Sequence, residues 1–268
     1  MSLIICTVIF IHTLPTLAES PPPLPDMKIV RFETSDGITI EGDYYPPIIK
    51  EDEKAPVAIL IHMYPADRRS WTPLVPGLRD GDTRFAVLAY DIRGRGGSTE
   101  PADKNLRSMY ETRDPALFKD AWKDVEAAKK WLSKQPGVDT SRIALIGASI
   151  GCSISLDYGS RDKDVKAVVC LSPGTNYFQV DSTRHIKRCD HISVLLIAPE
   201  EEYPAVEDLI AASGGKAKGL KYPGGREWHG TRMFDEKYKD HADVKKRILS
   251  HVSRAMGTDA KRQAATTP

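Results

Sequence analysis

Gly147-Ala148-Ser149-Ile150-Gly151 sets a serine between two small flanks, directly after the apolar run RIALI (142–146) and before CSISLDYGS, which suits a helix. Such a strand-to-helix junction forces a very tight turn, and glycine lets the backbone make it without a Cβ clash. A serine lifted off a sheet edge there, beside a helix N-terminus that favours negative charge, is placed to attack a carbonyl carbon. The hydroxyl is a weak nucleophile at neutral pH and needs a base. Among seven histidines, His229 in Gly224-Gly225-Arg226-Glu227-Trp228-His229-Gly230 follows the last strand-like run, where a loop can bring an imidazole over the sheet edge. His185, His191, His241 and His251 lie in polar or helical surroundings and read as surface residues. The base in turn requires a carboxylate to fix its tautomer and stabilise the imidazolium. Pro199-Glu200-Glu201-Glu202-Tyr203 follows the strand-like SVLLIA (193–198), between the serine and the histidine. Three adjacent glutamates leave the choice open; Glu202 is preferred, Glu201 comes next, and Asp208 and Asp235 are more remote. Charge developing on a tetrahedral intermediate needs backbone donors. Ile150, after the serine, offers one N–H; Tyr64, or alternatively Met63, in the loop after PVAILIHM (56–63) offers the other.

Strand-like and helix-like segments alternate along the chain, the pattern of an α/β fold with a mostly parallel central sheet and helices on both faces. Val30 to Tyr45 reads as an opening hairpin turning at Ser35-Asp36-Gly37. The short apolar runs 56–63, 85–90, 142–146, 165–171 and 193–198 suit strands buried on both faces, and KGLKY (218–222) is a weaker strand. Asp114 can cap a helix beginning at Pro115, in which Phe118, Ala121, Trp122, Val125, Ala128 and Leu132 recur at helical spacing until Pro136-Gly137 stops it. Val244, Ile248 and Val252 place a last amphipathic helix over about Asp235 to Met256. The connections are short, including Leu171 to Ser193, so no large lid domain and an open site are expected.

Charge and composition narrow the partners. The 38 basic and 37 acidic residues nearly cancel, which provides no global field to attract nucleic acid and suits a small-molecule substrate. Leu3 to Ile11 is apolar but too short to span a bilayer easily; with Thr16-x-Ala18 behind it, it reads as a signal peptide over residues 1–18. The expectation is therefore a secreted or periplasmic protein with no stable membrane span after signal removal. A Pro-rich linker (19–27), a catalytic domain (28–257) and a polar, disordered tail (258–268) would follow. Cys152, Cys170 and Cys189 lack C-x-x-C spacing, and the first two sit in apolar stretches as buried thiols, so no metal or other cofactor is expected.

The segments IHMYPADRRSW, YDIRGRGGS, IALIGASIGCSISL, VVCLSPGTNY, VLLIAPEEEY and YPGGREWHG together resemble successive landmarks of the α/β-hydrolase superfamily, from about Val30 to Gly230. The chain is most similar in this respect to small lidless bacterial serine esterases and the dienelactone-hydrolase-like group. In such proteins the acid lies in a G-x-x-D segment, which by position implies Glu202. The oxyanion strand there often ends His-Gly-x, where this chain has Met63. Ser149 stands where dienelactone hydrolases proper carry cysteine, which argues against that particular activity, and where haloalkane dehalogenases need a carboxylate. The loop Asp91 to Ser98 matches a structural segment with no catalytic role. The resemblance implies a serine hydrolase acting on a small carboxylic ester or related acyl substrate through an acyl-enzyme. Peptidase or thioesterase activity on the same triad, and a non-catalytic binding module of the same fold, are the alternatives.

Overall fold

A computed structural model of the chain describes residues 26–81 and 83–257. The expected signal segment, most of the linker and the expected tail lie outside the described residues.

The strands of the central sheet are β1 (Lys28–Glu33), β2 (Thr39–Tyr45), β3 (Ala55–Ile61), β4 (Ala86–Tyr90), β5 (Val138–Ala148) and β6 (Val165–Leu171). After a small hairpin of β7 (Asn176–Tyr177) and β8 (Val180–Asp181), β9 (Ser193–Pro199) and β10 (Lys218–Tyr222) complete it. The eight-stranded sheet is ordered β1-β2-β4-β3-β5-β6-β9-β10, with β2 antiparallel to β1 and β4 and all pairs from β4 to β10 parallel. The inner strands β3, β4 and β6 are apolar and almost wholly buried because helices cover both faces.

One face carries α1 (Val75–Asp80) and α8 (His241–Ala255), whose Leu78, Val244, Ile248 and Val252 join a core with Leu60, Val87 and Ile146. The other face carries the rest: α2 (Leu106–Glu111), α3 (Pro115–Lys119), α4 (Trp122–Leu132), α5 (Ile150–Gly159), α6 (Ser182–Ile186) and α7 (Tyr203–Ala212). There Val125, Ile154 and Val206 pack with Ile59 and Leu145. Among the described residues no large lid insertion interrupts the fold; the β6–β9 connection holds only the small hairpin and α6.

Two helices depart from the sequence pattern. The segment from Pro115 divides into α3 and α4, because Ala121, Lys123 and Asp124 donate to carbonyls three residues back, at 3.0–3.2 Å, in a tightened turn. The last helix starts at His241, not near Asp235: Gly230–Phe234 forms a 3₁₀ turn, Asp235 is extended, and its carboxylate accepts from Lys237 N–H at 2.9 Å. His251 is also not a surface residue; it is 8% exposed and its Nε2 bonds the Ser193 carbonyl at 3.0 Å.

The loop after β4 is tied into the fold by buried ion pairs. Arg93 is almost fully buried and bonds Asp124 at 2.8 Å and Asp36 at 2.9 Å. Nearby, Arg68 binds Asp43 at 2.7 Å, Glu41 at 2.9 Å and Asp91. Ser98 joins the loop to β2 by donating to the Asp91 carbonyl at 2.7 Å and accepting from Glu41 N–H at 2.9 Å.

Candidate active site

In this sheet β4 lies on one side of β3 and β5 on the other, so the crossovers diverge there. Divergence opens a crevice at the carboxyl ends of β3 and β5, where open α/β sheets bind ligands. Ser149 follows β5 at that crevice and leads into α5. Its backbone has φ 53° and ψ −118°, an uncommon conformation for a residue with a side chain. The two glycines permit it. A Cβ on Gly147 would lie 2.3 Å from the Gly151 carbonyl oxygen, and one on Gly151 would lie 2.1 Å from the Ile61 carbonyl oxygen. The turn is therefore clamped between α5 and the end of β3, and Ser149 N–H donates to Leu171 O at 2.9 Å.

Glu200–Glu202 forms one 3₁₀ turn after β9. Three residues per turn splay the three carboxylates apart, so they meet different partners. Glu202 Oε1 lies 2.7 Å from His229 Nδ1, whereas Glu201 accepts from Arg226 N–H at 3.3 Å and Glu200 is exposed. Asp208 and Asp235 are exposed and stand elsewhere, on α7 and before α8. A carboxylate only accepts, so Nδ1 carries the proton in this pair and Nε2 is left as the basic nitrogen. Burial pushes the Glu202 pKa up, but the His229 hydrogen bond, the Ser172 hydroxyl and the Arg226 charge together hold it below its ordinary value.

Gly230 joins the histidine loop to the serine turn. With φ +59°, its missing Cβ would sit 2.7 Å from Met63 Sδ and 3.4 Å from Ala148 Cβ. Its N–H donates to the buried Ser172 hydroxyl at 2.9 Å. Tyr177 spans the same space: its ring meets the His229 ring edge-on at 6.5 Å, and its hydroxyl donates to the Ser172 carbonyl at 3.5 Å. Burial raises the Tyr177 phenol to about 12, so it is a neutral donor near pH 7. Ser172 and Tyr177 belong to VVCLSPGTNY, but nothing in that sequence reports that its loop returns to the histidine.

Ile150 opens α5, so its N–H has no acceptor within the helix. Met63 and Tyr64 follow β3, and among the described residues neither backbone N–H has a hydrogen-bond acceptor. Both therefore remain available as the second donor. His62 is spent on structure: Nε2 accepts from Ile92 N–H at 3.0 Å, Nδ1–H donates to Met63 O at 2.9 Å, and burial lowers its pKa. Cys152, Cys170 and Cys189 are buried free thiols, and burial holds the Cys152 thiol in its protonated form.

A protein-family model for the alpha/beta hydrolase fold matches residues 56–223. The chain belongs to this family. The α/β-hydrolase is 28% identical over 189 residues to an uncharacterized protein of Mycobacterium tuberculosis, covering 70% of this chain and 58% of that one. A polyketide transferase of Gibberella fujikuroi is 27% identical over 208 residues, covering 74% of this chain and 60% of the relative. The chain thus spans under two thirds of the length of the curated relatives it matches. Among solved structures, the acylaminoacyl peptidase of Pyrococcus horikoshii superposes with a TM-score of 0.67 at 16% identity, over 86% of this chain and 42% of the other. An esterase of Pyrococcus furiosus superposes with a TM-score of 0.64 at 19% identity, over 86% and 93%. These likenesses carry the fold and reach both esterases and peptidases.

Proposed function

We propose that the protein is a serine hydrolase of carboxylic esters, with Ser149 as nucleophile, His229 as general base and Glu202 as the orienting acid. The observation that carries this reading is the 2.7 Å contact between Glu202 and His229 Nδ1, which directs the basic Nε2 away from the acid. His229 takes the Ser149 proton as Oγ bonds to the ester carbonyl carbon. The resulting oxyanion receives hydrogen bonds from Ile150 N–H and from Tyr64 N–H, with Met63 N–H as the alternative donor. Collapse breaks the ester C–O bond, and the imidazolium returns the proton to the leaving alcohol. Water then attacks the acyl-serine with His229 again as base, releasing the acid and restoring Ser149.

The small lidless esterase and dienelactone-hydrolase-like group is the subgroup its motifs resemble, and a small acyl ester is the substrate class proposed. Peptide hydrolysis on the same triad is the second reading, favoured by the likeness to an acylaminoacyl peptidase fold. Thioester cleavage would use the same residues. A fluorophosphonate probe should label Ser149, and the protein should hydrolyse short p-nitrophenyl esters faster than matched peptide anilides. Labelling that persists undiminished in Ser149→Ala, or esterase activity equal to wild type in that variant, would overturn the assignment. No labelling and no turnover of either substrate would favour a binding module of this fold.

A further inference from the structure

Beyond the reacting groups, the β7–β8 hairpin carries an unusual turn. Phe178 and Gln179, its two central residues, have φ of 48° and 63°, values that two-residue hairpin turns require and that glycine or asparagine usually supply. The hairpin is held there by its contacts. The Phe178 ring packs on Phe118 at 4.7 Å, on Tyr64 at 5.7 Å and on Tyr177 at 6.5 Å. Lys119 Nζ bonds Gln179 Oε1 at 3.0 Å. Tyr177, in the same hairpin, contacts His229. An aromatic surface therefore leads away from the candidate base.

Arg113 stands at its far end. The residue is exposed with φ 58°, and its guanidinium lies 4.7 Å over the Tyr64 ring and 5.9 Å from the Phe178 ring. Among the described residues no oxygen accepts a hydrogen bond from this guanidinium, and no carboxylate pairs with it. Neighbouring Asp114 is engaged elsewhere, accepting from Ala116 N–H at 2.9 Å. Stacking uses the face of the guanidinium and leaves its in-plane N–H fork free, the geometry that takes a carboxylate in two parallel hydrogen bonds.

We propose that Arg113 binds a carboxylate at the distal end of the substrate's acyl chain, so that the substrates are half-esters of dicarboxylic acids. The rings of Tyr177, Phe178 and Tyr64 would cover the intervening methylenes, and the chain must be long enough to run from Ser149 past this surface. The inference rests on the ester-hydrolase reading of Ser149 for its catalytic consequence, but the anion site itself does not need turnover.

The test therefore has a kinetic and a binding arm. Mono-p-nitrophenyl esters of glutaric, adipic and suberic acid are compared with p-nitrophenyl esters of the length-matched neutral acids. The wild type should prefer one of the anionic series, and Arg113→Gln should lower its anionic-to-neutral kcat/KM ratio about tenfold, chiefly through KM. Arg113→Lys should restore part of that ratio, and raised salt should lower it in the wild type. In calorimetry, Ser149→Ala should bind the monomethyl half-ester of the preferred length about tenfold more tightly than the Ser149→Ala, Arg113→Gln double variant. A wild type without anionic preference, or a ratio unmoved by Arg113→Gln, overturns the proposal. If no ester is turned over yet binding still depends on Arg113, the hydrolase reading fails and the anion site stands. Turnover of neutral esters without Arg113-dependent binding has the opposite meaning.

Discussion

Glu201 and Glu202 are neighbours with the same chemistry, yet one lies against a backbone N–H of Arg226 and the other against an imidazole. Glu202→Gln should therefore lower kcat by about a hundredfold to ten-thousandfold, since the amide permits the wrong tautomer and removes the charge that stabilises imidazolium. Glu201→Gln should stay near wild type in rate. Glu202 also bears on acid stability. Its folded pKa lies below the ordinary 4.5, so its contribution is present above that value and lost as pH falls through the folded pKa. Denaturation curves of Glu202→Gln should accordingly be flatter on the acid side, and an unchanged acid slope would count against this coupling. Ser172→Ala leaves the Gly230 N–H without its acceptor and should cost about 1–3 kcal/mol in chemical denaturation.

At the scale of elements, the serine turn depends on how closely α5 approaches β3. A methyl group on Gly151 would meet the Ile61 carbonyl oxygen at 2.1 Å, a backbone atom that cannot rotate aside. Gly151→Ala is expected to cost about 1–3 kcal/mol or more in stability, and to reduce turnover further by displacing Ser149. A melting temperature within a degree or so of wild type, with normal turnover, would show that the sheet yields more easily than such packing allows. The division between α3 and α4 has a positional consequence as well. The tightened turn ends at Asp124, which meets Arg93 at 2.8 Å, and α3 supplies Phe118 and Lys119 to the hairpin beside the candidate site.

Over the whole molecule, buried ion networks fasten the loops to β2 and the turn before it. Arg68 serves Glu41, Asp43 and Asp91 together, and burial keeps the Asp43 carboxyl above its ordinary pKa even with Arg68 attached. Arg68→Leu strands these carboxylates without a counter-ion and should destabilise the fold by about 3–5 kcal/mol. The loss should be smaller near pH 5 than near pH 8, because burial already raises the Asp43 carboxyl and protonation relieves it once Arg68 is gone. Equal losses at both pH values would indicate that packing, not charge, dominates. Export is a separate proposal, resting on the apolar run Leu3 to Ile11 and the small residues at Thr16 and Ala18. Intact mass of protein from the native host should correspond to a chain starting near Glu19; a mass that includes Met1 to Ala18 would overturn it.

The alternation of short apolar runs with amphipathic segments determined the parallel sheet and its two helical layers, because burial on both faces leaves little room for polar residues in β3, β4 and β6. The spacing Gly147-x-Ser149-x-Gly151 likewise announced its own turn, since a local backbone constraint is written in neighbouring residues. His229 and Glu202 were legible after particular strands, Glu202 as the preferred of three adjacent glutamates, but the residues alone left Glu201 open, because the loops that carry acid and imidazole meet only once β9 and β10 lie side by side. Where the three glutamates point was decided by a 3₁₀ turn that no periodicity reveals. The split of α3 from α4, the burial of His251 and the return of the Tyr177 hairpin to His229 belong to the same class. The helix split is a local tightening of one turn, whereas the other two depend on contacts between segments distant in the chain, which form only when the core closes.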